Sequence, residues 1–392
     1  MGLLGKKANK SLPEKKLGLY LHIPFCEKKC DYCDFYSITG FSDFGRYADA
    51  LMLEMEDYAK AADGYTVDSV FIGGGTPTVM PVKQMQEILY ALYANFNIDR
   101  DAEITMEANP ATVDRRSLKK LLKGGVNRLS IGLQSTENEE LRLLSRIHTF
   151  EDFEDAFYDA RDAGFENINV DLMYGIPSQT ESTLFRSVEK VCEMEPEHIS
   201  LYGLKIEEGT PFAKRQETLE LPDEDTEYRM YADSVRYLAS RGFQQYEISN
   251  FALEGCRSRH NYRYWLGEEY IGIGPGAHSF FGGKRYSNKK DIALYMEGME
   301  YINKGIRLIE NETVLSDTDR MNEFIMLRLR LKDGLDANEF SSRFGIDFTA
   351  TFADRLPLYI DNGFMRFEQG RYSFTTKGMY VSNYILSNLM LG

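Results

Sequence analysis

Three cysteines, Cys26, Cys30 and Cys33, stand within eight residues, directly behind the apolar run Leu17-Gly18-Leu19-Tyr20-Leu21-His22-Ile23. On one loop after one strand, that spacing lets three thiolates converge on a single compact centre, the arrangement that iron–sulfur ligation uses. Three thiolates leave one iron of a four-iron cluster incompletely ligated. An open coordination position is what a metal needs to bind a small molecule. Lys28 and Lys29 lie inside the loop, where positive charge offsets an anionic cluster. A structural zinc site is the alternative, with Cys256 and His260 as a candidate further donor pair, although zinc knuckles usually supply ligands as two separated pairs.

With an odd number of cysteines, three of them crowded together, the chain does not read as a disulfide framework. A reducing, cytoplasmic setting is expected. Lys and Arg total 46 against 61 Asp and Glu, a net charge of −15. That field disfavours nucleic acid as a partner. No window approaches the roughly 18 apolar residues of a membrane span, and the short apolar run leads into cysteines instead of a cleavage site.

Short apolar runs alternate with segments of helical periodicity. Strands are expected at Leu17–His22, Ser69–Ile72, Glu103–Glu107, Arg128–Gly132, Asn167–Leu172 and His198–Tyr202, and helices at Tyr47–Lys60, Val82–Phe96, Asp114–Lys123, Phe150–Ala163 and Glu181–Glu193. Repeated strand and helix imply an α/β fold of parallel strands curled into a partial or complete (β/α) barrel. The organisation reads as a polar tail over 1–15, the barrel over 16–220, a barrel-completing or connecting segment over 221–315, and a smaller α+β, winged-helix-like domain over 316–392. In that last domain short helices, a hairpin at Phe364–Thr375 turning at Gln369-Gly370, and a final helix Lys377–Leu391 are expected.

Chemistry in such folds gathers at the C-terminal strand ends. There the sequence places Gly73-Gly74-Gly75-Thr76, whose bare backbone suits close approach of a ligand. Glu107, Gln134 and Asp171 occupy later strand ends, and Arg146 follows the fourth strand. A tight bend or a helix cap explains any one of these; a shared pocket is the simpler account of all of them.

CxxxCxxC after a first strand, with Tyr32 before the third cysteine, resembles the radical S-adenosylmethionine (SAM) superfamily. Tyr20-x-His22-Ile23-Pro24-Phe25-Cys26 narrows the resemblance to the oxygen-independent coproporphyrinogen III oxidase group. The resemblance implies a 4Fe-4S cluster on Cys26, Cys30 and Cys33 whose open iron chelates SAM. It further implies SAM contacts at Tyr20, Gly74 and Glu107, and a second SAM or substrate site at Gly75, Thr76, Gln134, Arg146 and Asp171. Lys205 would contribute backbone near the adenosine, and the Gly-rich stretch Tyr270–Ser279 would close over adenine through Ala277 or His278.

Two features sort the chain within the group. The decarboxylating oxidases carry a fourth cysteine two residues past the third, where this chain has Phe35. Arg259-His260-Asn261-Tyr262-Arg263-Tyr264-Trp265 contains HNxxYW, which resembles the signature of the HemW type of oxidase-like heme chaperones. That resemblance implies heme as a third cofactor or cargo, held around His260, Asn261, Tyr264 and Trp265, with Arg259 or Arg263 for the propionates. It also implies delivery to membrane respiratory proteins, with a peripheral membrane contact and a homodimer as further expectations. A Tyr/Trp core cluster with a hydrogen-bonded histidine is the plainer reading of the motif. The enzymatic alternative is a radical SAM decarboxylase or methyltransferase acting on a tetrapyrrole.

Overall fold

Leu17, Leu19, Leu21 and Ile23 alternate with Gly18, Tyr20 and His22 along the first strand, and the following barrel strands repeat this division apart from the inward Phe71 of the second and Met173 of the fifth. The apolar set turns outward and packs with Tyr47, Leu51 and Met55 of helix Phe44–Ala61 in one large core. The polar set turns inward. The computed structural model describes residues 15–299 and 308–391. Apart from Lys15, which opens the first strand, the tail expected over 1–15 lies outside them.

Six parallel strands, β1 (Lys15–Ile23), β2 (Tyr65–Gly74), β3 (Ile98–Ala108), β4 (Arg128–Gln134), β5 (Ile168–Tyr174) and β6 (His198–Gly203), lie side by side in chain order. Crossover helices Val82–Asn95, Arg115–Lys123, Phe150–Ala163 and Glu181–Glu193 connect them. Side-chain caps fix where several begin: Asp114, Thr149 and Thr180 each accept from the third helical N–H while their own N–H groups are bonded in return.

The sheet stays open. Short strands β7 (Gln244–Gln245) and β8 (Asn250–Ala252) add antiparallel beyond β6. On the other side β9 (Tyr270–Ile273) adds parallel to β1, followed by β10 (His278–Phe281), β11 (Lys284–Asn288) and β12 (Ile309–Val314). The barrel is therefore partial, with twelve strands in one sheet.

Helix Arg259–Leu266 seals the N-terminal end of the curl. Glu103, inward on β3, accepts from the N–H groups of Arg259 (2.9 Å) and His260 (3.2 Å), an acid at a helix N-terminus. Gly18 makes room for it, since a Cβ there would stand 2.6 Å from Arg263 Cδ.

The C-terminal domain has its own core around Phe324, Leu329, Phe340, Phe348, Tyr372 and Phe374. Its three-stranded sheet joins β13 (Leu335–Asp336), β14 (Met365–Glu368) and β15 (Arg371–Phe374), with the hairpin turning at Gln369-Gly370, both at positive φ. Two expectations are corrected here. The first helix of the domain is long, Asp317–Arg330, and the final helix is two, Thr376–Tyr380 and Ser382–Asn388, broken at Val381 (φ −101, ψ 21).

Candidate functional site

The cysteine loop leaves β1 and folds over the ends of the neighbouring strands. Gly75 permits this: a Cβ there would lie 2.7 Å from Phe25 O and 2.8 Å from Phe25 N, so the loop rests on bare backbone. Gly75 N–H donates to Ile23 O (2.8 Å) and Thr76 N–H to Phe25 O (2.7 Å), which pins the loop to the end of β2. Two thiols receive partners from distant strand ends. Cys26 Sγ lies 3.6 Å from Thr76 Oγ1, and Arg146 Nη1 donates to Cys30 Sγ at 3.5 Å. Burial, with Cys30 and Cys26 close by, pushes the Cys33 thiol up to about 11. Thiols that oppose one another's ionisation are stabilised as thiolates by a cationic metal centre.

This donor set fits an iron–sulfur cluster. Among the described residues no three His, Cys, Asp or Glu side chains are close enough to share one metal ion. A single zinc would hold its thiolates about 2.3 Å from one point, whereas each cysteine of a 4Fe-4S cube sits on a different iron. The donor pair a zinc site would recruit is committed elsewhere: Cys256 Sγ lies 3.8 Å from Glu254 O, and both His260 ring nitrogens are hydrogen-bonded.

Behind the loop the inward residues form one polar lining. Tyr20 OH meets His22 Nδ1 at 3.0 Å, and His22 Nε2 meets Tyr36 O at 2.9 Å. Burial holds His22 neutral, down to about 4. Glu107 accepts from Gly74 N–H at 3.1 Å. Burial, then the Asp171 carboxylate, pushes Glu107 up to about 8 despite that bond. Asp171 is fixed by Asn169 Nδ2 (2.8 Å) and Ser130 Oγ (3.3 Å), and burial raises its pKa too. Two adjacent carboxyl groups of raised pKa are a receptor for a cationic ligand.

Gln134 and Arg146 converge over Gly132, where a Cβ would be 3.1 Å from Gln134 Nε2 and 3.2 Å from Arg146 Nη2. Gln134 itself holds φ 76, a left-handed backbone that costs a side-chain-bearing residue roughly 1–3 kcal/mol and is commonest at functional sites. Arg146 Nη2 donates to Gly132 O (2.6 Å), while its buried Nε has no hydrogen-bond partner.

Tyr20, Gly74, Gly75, Thr76, Glu107, Gln134, Arg146 and Asp171 are thus brought around the cysteine loop. Lys205 follows the end of β6, the strand next to that of Asp171, and its side chain pairs with Glu207 at 2.6 Å, which leaves its backbone as the part that could serve a ligand. His278 lines an adjoining cavity of about 580 Å³ with Tyr20, His22, Tyr36 and Tyr264. His22, Tyr36 and Asn169 were missed as site residues; period-two alternation from Tyr20 and Asp171 places His22 and Asn169 on the same inward face.

The HNxxYW residues do not form one open pocket. His260 is fully buried, with Nδ1 3.2 Å from Ser69 Oγ and Nε2 2.7 Å from Tyr264 OH. The expectation of an available imidazole is corrected: a porphyrin iron reaches it only if Tyr264 moves. Asn261 N–H is capped by Ser258. Trp265 lines not this cavity but a neighbouring groove of about 370 Å³ against helix Asp317–Arg330, with Arg330 over its ring. Arg263 pairs with Asp68 and Glu268, and Arg259 donates to Asp101 O, so neither guanidinium waits for a propionate.

Residues 20–191 match the Radical SAM superfamily and residues 315–381 match the HemN C-terminal domain. The chain is 34% identical over 382 residues to the heme chaperone HemW of Lactococcus lactis, covering 96% of this chain and 98% of that protein. Over 337 residues it is 36% identical to the heme chaperone HemW of Escherichia coli, covering 84% and 86%. Among solved structures it resembles the Escherichia coli coproporphyrinogen III oxidase HemN, described as a radical SAM enzyme, with a TM-score of 0.83 and 25% identity over 97% of this chain and 91% of that one.

Proposed function

Because the chain belongs to the HemW family of radical SAM proteins, we propose that it is a heme chaperone that carries a 4Fe-4S cluster and SAM and hands heme to respiratory proteins. Cys26, Cys30 and Cys33 would hold the cluster. When bound, the cluster supplies an open iron for SAM and an electron for its cleavage. The chain's own groups do the positioning. Arg146 neutralises charge at Cys30 and Thr76 bonds the sulfur of Cys26, while Glu107 and Tyr20 would receive the ammonium or ribose of SAM. His22 stays neutral and braces Tyr20.

The observation that carries the choice of chaperone over decarboxylase is Phe35, two residues past Cys33. It is 65% exposed and forms part of the 580 Å³ cavity lining. A phenyl ring offers an apolar face for a flat macrocycle and no thiol for proton or radical transfer. Among the described residues no helix is long and apolar enough to cross a membrane. Cytoplasmic residence, homodimerisation and a passing membrane contact during delivery belong to the same proposal.

The test is an anoxic reconstitution followed by two assays. Hemin uptake and its transfer to an apo-cytochrome are expected, without consumption of coproporphyrinogen. Coproporphyrinogen decarboxylation by the wild-type chain would overturn the proposal in favour of an oxidase.

A further inference from the structure

Inside the barrel, Ser130, Asn169 and His198 are register partners on β4, β5 and β6. Their side chains therefore form one row across three strands. All three are buried. Packing alone does not ask for such a row, since the outward residues of the same strands, Leu129, Ile131, Val170 and Ile199, are apolar core. One row closer to the C-terminal strand ends stand Gly132, Asp171 and Ser200. Among the side chains of both rows only that of Asp171 belongs to a residue that is merely half-buried. Its register partner Gly132 is the one over which Gln134 and Arg146 converge.

A chain of hydrogen bonds joins the two rows, and its direction is fixed at one amide. Asn169 Nδ2 lies 2.8 Å from Asp171 Oδ1 and 2.7 Å from Ser130 Oγ, so both amide protons are engaged on this side. A carboxylate can only accept. Asn169 Oδ1 then faces His198 Nδ1 at 2.6 Å and Ser200 Oγ at 3.1 Å. An amide oxygen cannot donate, so the imidazole carries its proton on Nδ1, and its Nε2 accepts from Tyr246 O–H at 2.8 Å. Burial, then the Arg128 charge, keeps His198 neutral. Ser130 Oγ donates to the second carboxylate oxygen at 3.3 Å. Every donor in the chain points towards Asp171.

Resting on the SAM-binding reading above, we propose that Asn169 and His198 are positioning residues that hold the Asp171 carboxylate in one orientation for the donor groups of SAM. An amide passes no proton along, so the chain orients the carboxylate and relays nothing to it. With one protein donor on each oxygen, the carboxylate keeps lone pairs for a hydroxyl or an ammonium group.

Equilibrium dialysis of SAM against the full-length, anoxically reconstituted protein tests this. It compares wild type with Asp171→Ala, Asn169→Leu, their double variant, His198→Leu, and His198→Asn, whose amide nitrogen can take the place of Nδ1. Asp171→Ala should bind about 10- to 100-fold more weakly, the effect of one hydrogen bond to a charged group. Asn169→Leu should lose about tenfold alone but less than about twofold when added to Asp171→Ala, because nothing is then left to position. His198→Leu should lose about threefold, and His198→Asn should stay within about twofold of wild type. If Asn169→Leu does not fold, the two His198 variants decide the matter. The inference is overturned by an Asn169→Leu loss of equal factor in both backgrounds, by unchanged binding in Asp171→Ala, or by His198→Asn binding as weakly as His198→Leu. Each of those results leaves the SAM reading standing, whereas a wild-type chain that retains no SAM would sink that reading and this inference with it.

Discussion

Replacing Glu107 with glutamine tests the polar lining through its effect on stability. The Glu107 carboxyl stands at about 8 in the folded chain against 4.5 when free, because burial and Asp171 both oppose its charge. Its folded pKa is raised, so the stabilisation is complete below about pH 4.5 and is lost as pH climbs through about 8. Fully buried, that difference would amount to roughly 5 kcal/mol; Glu107 as a residue is only half-buried, which reduces the figure to about 2 kcal/mol. Glutamine does not titrate, and its amide oxygen can still accept from Gly74 N–H. Urea unfolding of the reduced, metal-free protein near pH 5 and near pH 8.5 reads the difference directly. Between those conditions wild type should lose about 2 kcal/mol more than Glu107→Gln. Parallel losses in the two proteins would refute the reasoning, since Asp171 is common to both. In the reconstituted protein the same substitution should weaken SAM binding about 10- to 100-fold, the worth of one hydrogen bond to a charged group; unchanged affinity in equilibrium dialysis would remove Glu107 from that site.

Gly75→Ala places a methyl 2.7–2.9 Å from the Pro24–Phe25 backbone and should displace the cysteine loop. Iron loading should fall by more than half with the far-ultraviolet circular dichroism unchanged, and full loading would count against the packing described. Gly18→Ala sets a methyl 2.6 Å from Arg263 Cδ and 3.3 Å from His260 Cε1. Overpacking of this kind costs about 1–3 kcal/mol, so denaturant unfolding should show a loss of that size; an unchanged midpoint would mean that helix Arg259–Leu266 does not press on β1.

The barrel strands and helices were legible because their periodicities differ. Period two along Leu17–Ile23 and helical spacing along Phe150–Ala163 are local signals, and the first and last residues of that helix agree with the structure. Strand ends were less legible: β3 begins at Ile98, through the charged segment Asp99–Asp101, where no apolar alternation exists to read. Strands β9 to β12 were missed because Gly272, Gly274 and Gly276 suggested a ligand loop, although Gly282-Gly283 between Phe281 and Lys284 is a two-residue hairpin turn with both φ positive. The cysteine loop and the strand-end acids were readable from residue type and position. The partners of His260 were not, because Ser69 lies 191 residues away and only the packing of helix Arg259–Leu266 against the inner face of the sheet brings it to the imidazole.

The central claim is that the loop Cys26–Cys33 ligates an iron–sulfur cube, and iron with acid-labile sulfide per chain after anoxic reconstitution measures it. About four irons and four sulfides are predicted, both lost together in Cys30→Ser. Zinc in their place, or iron without sulfide, would contradict it.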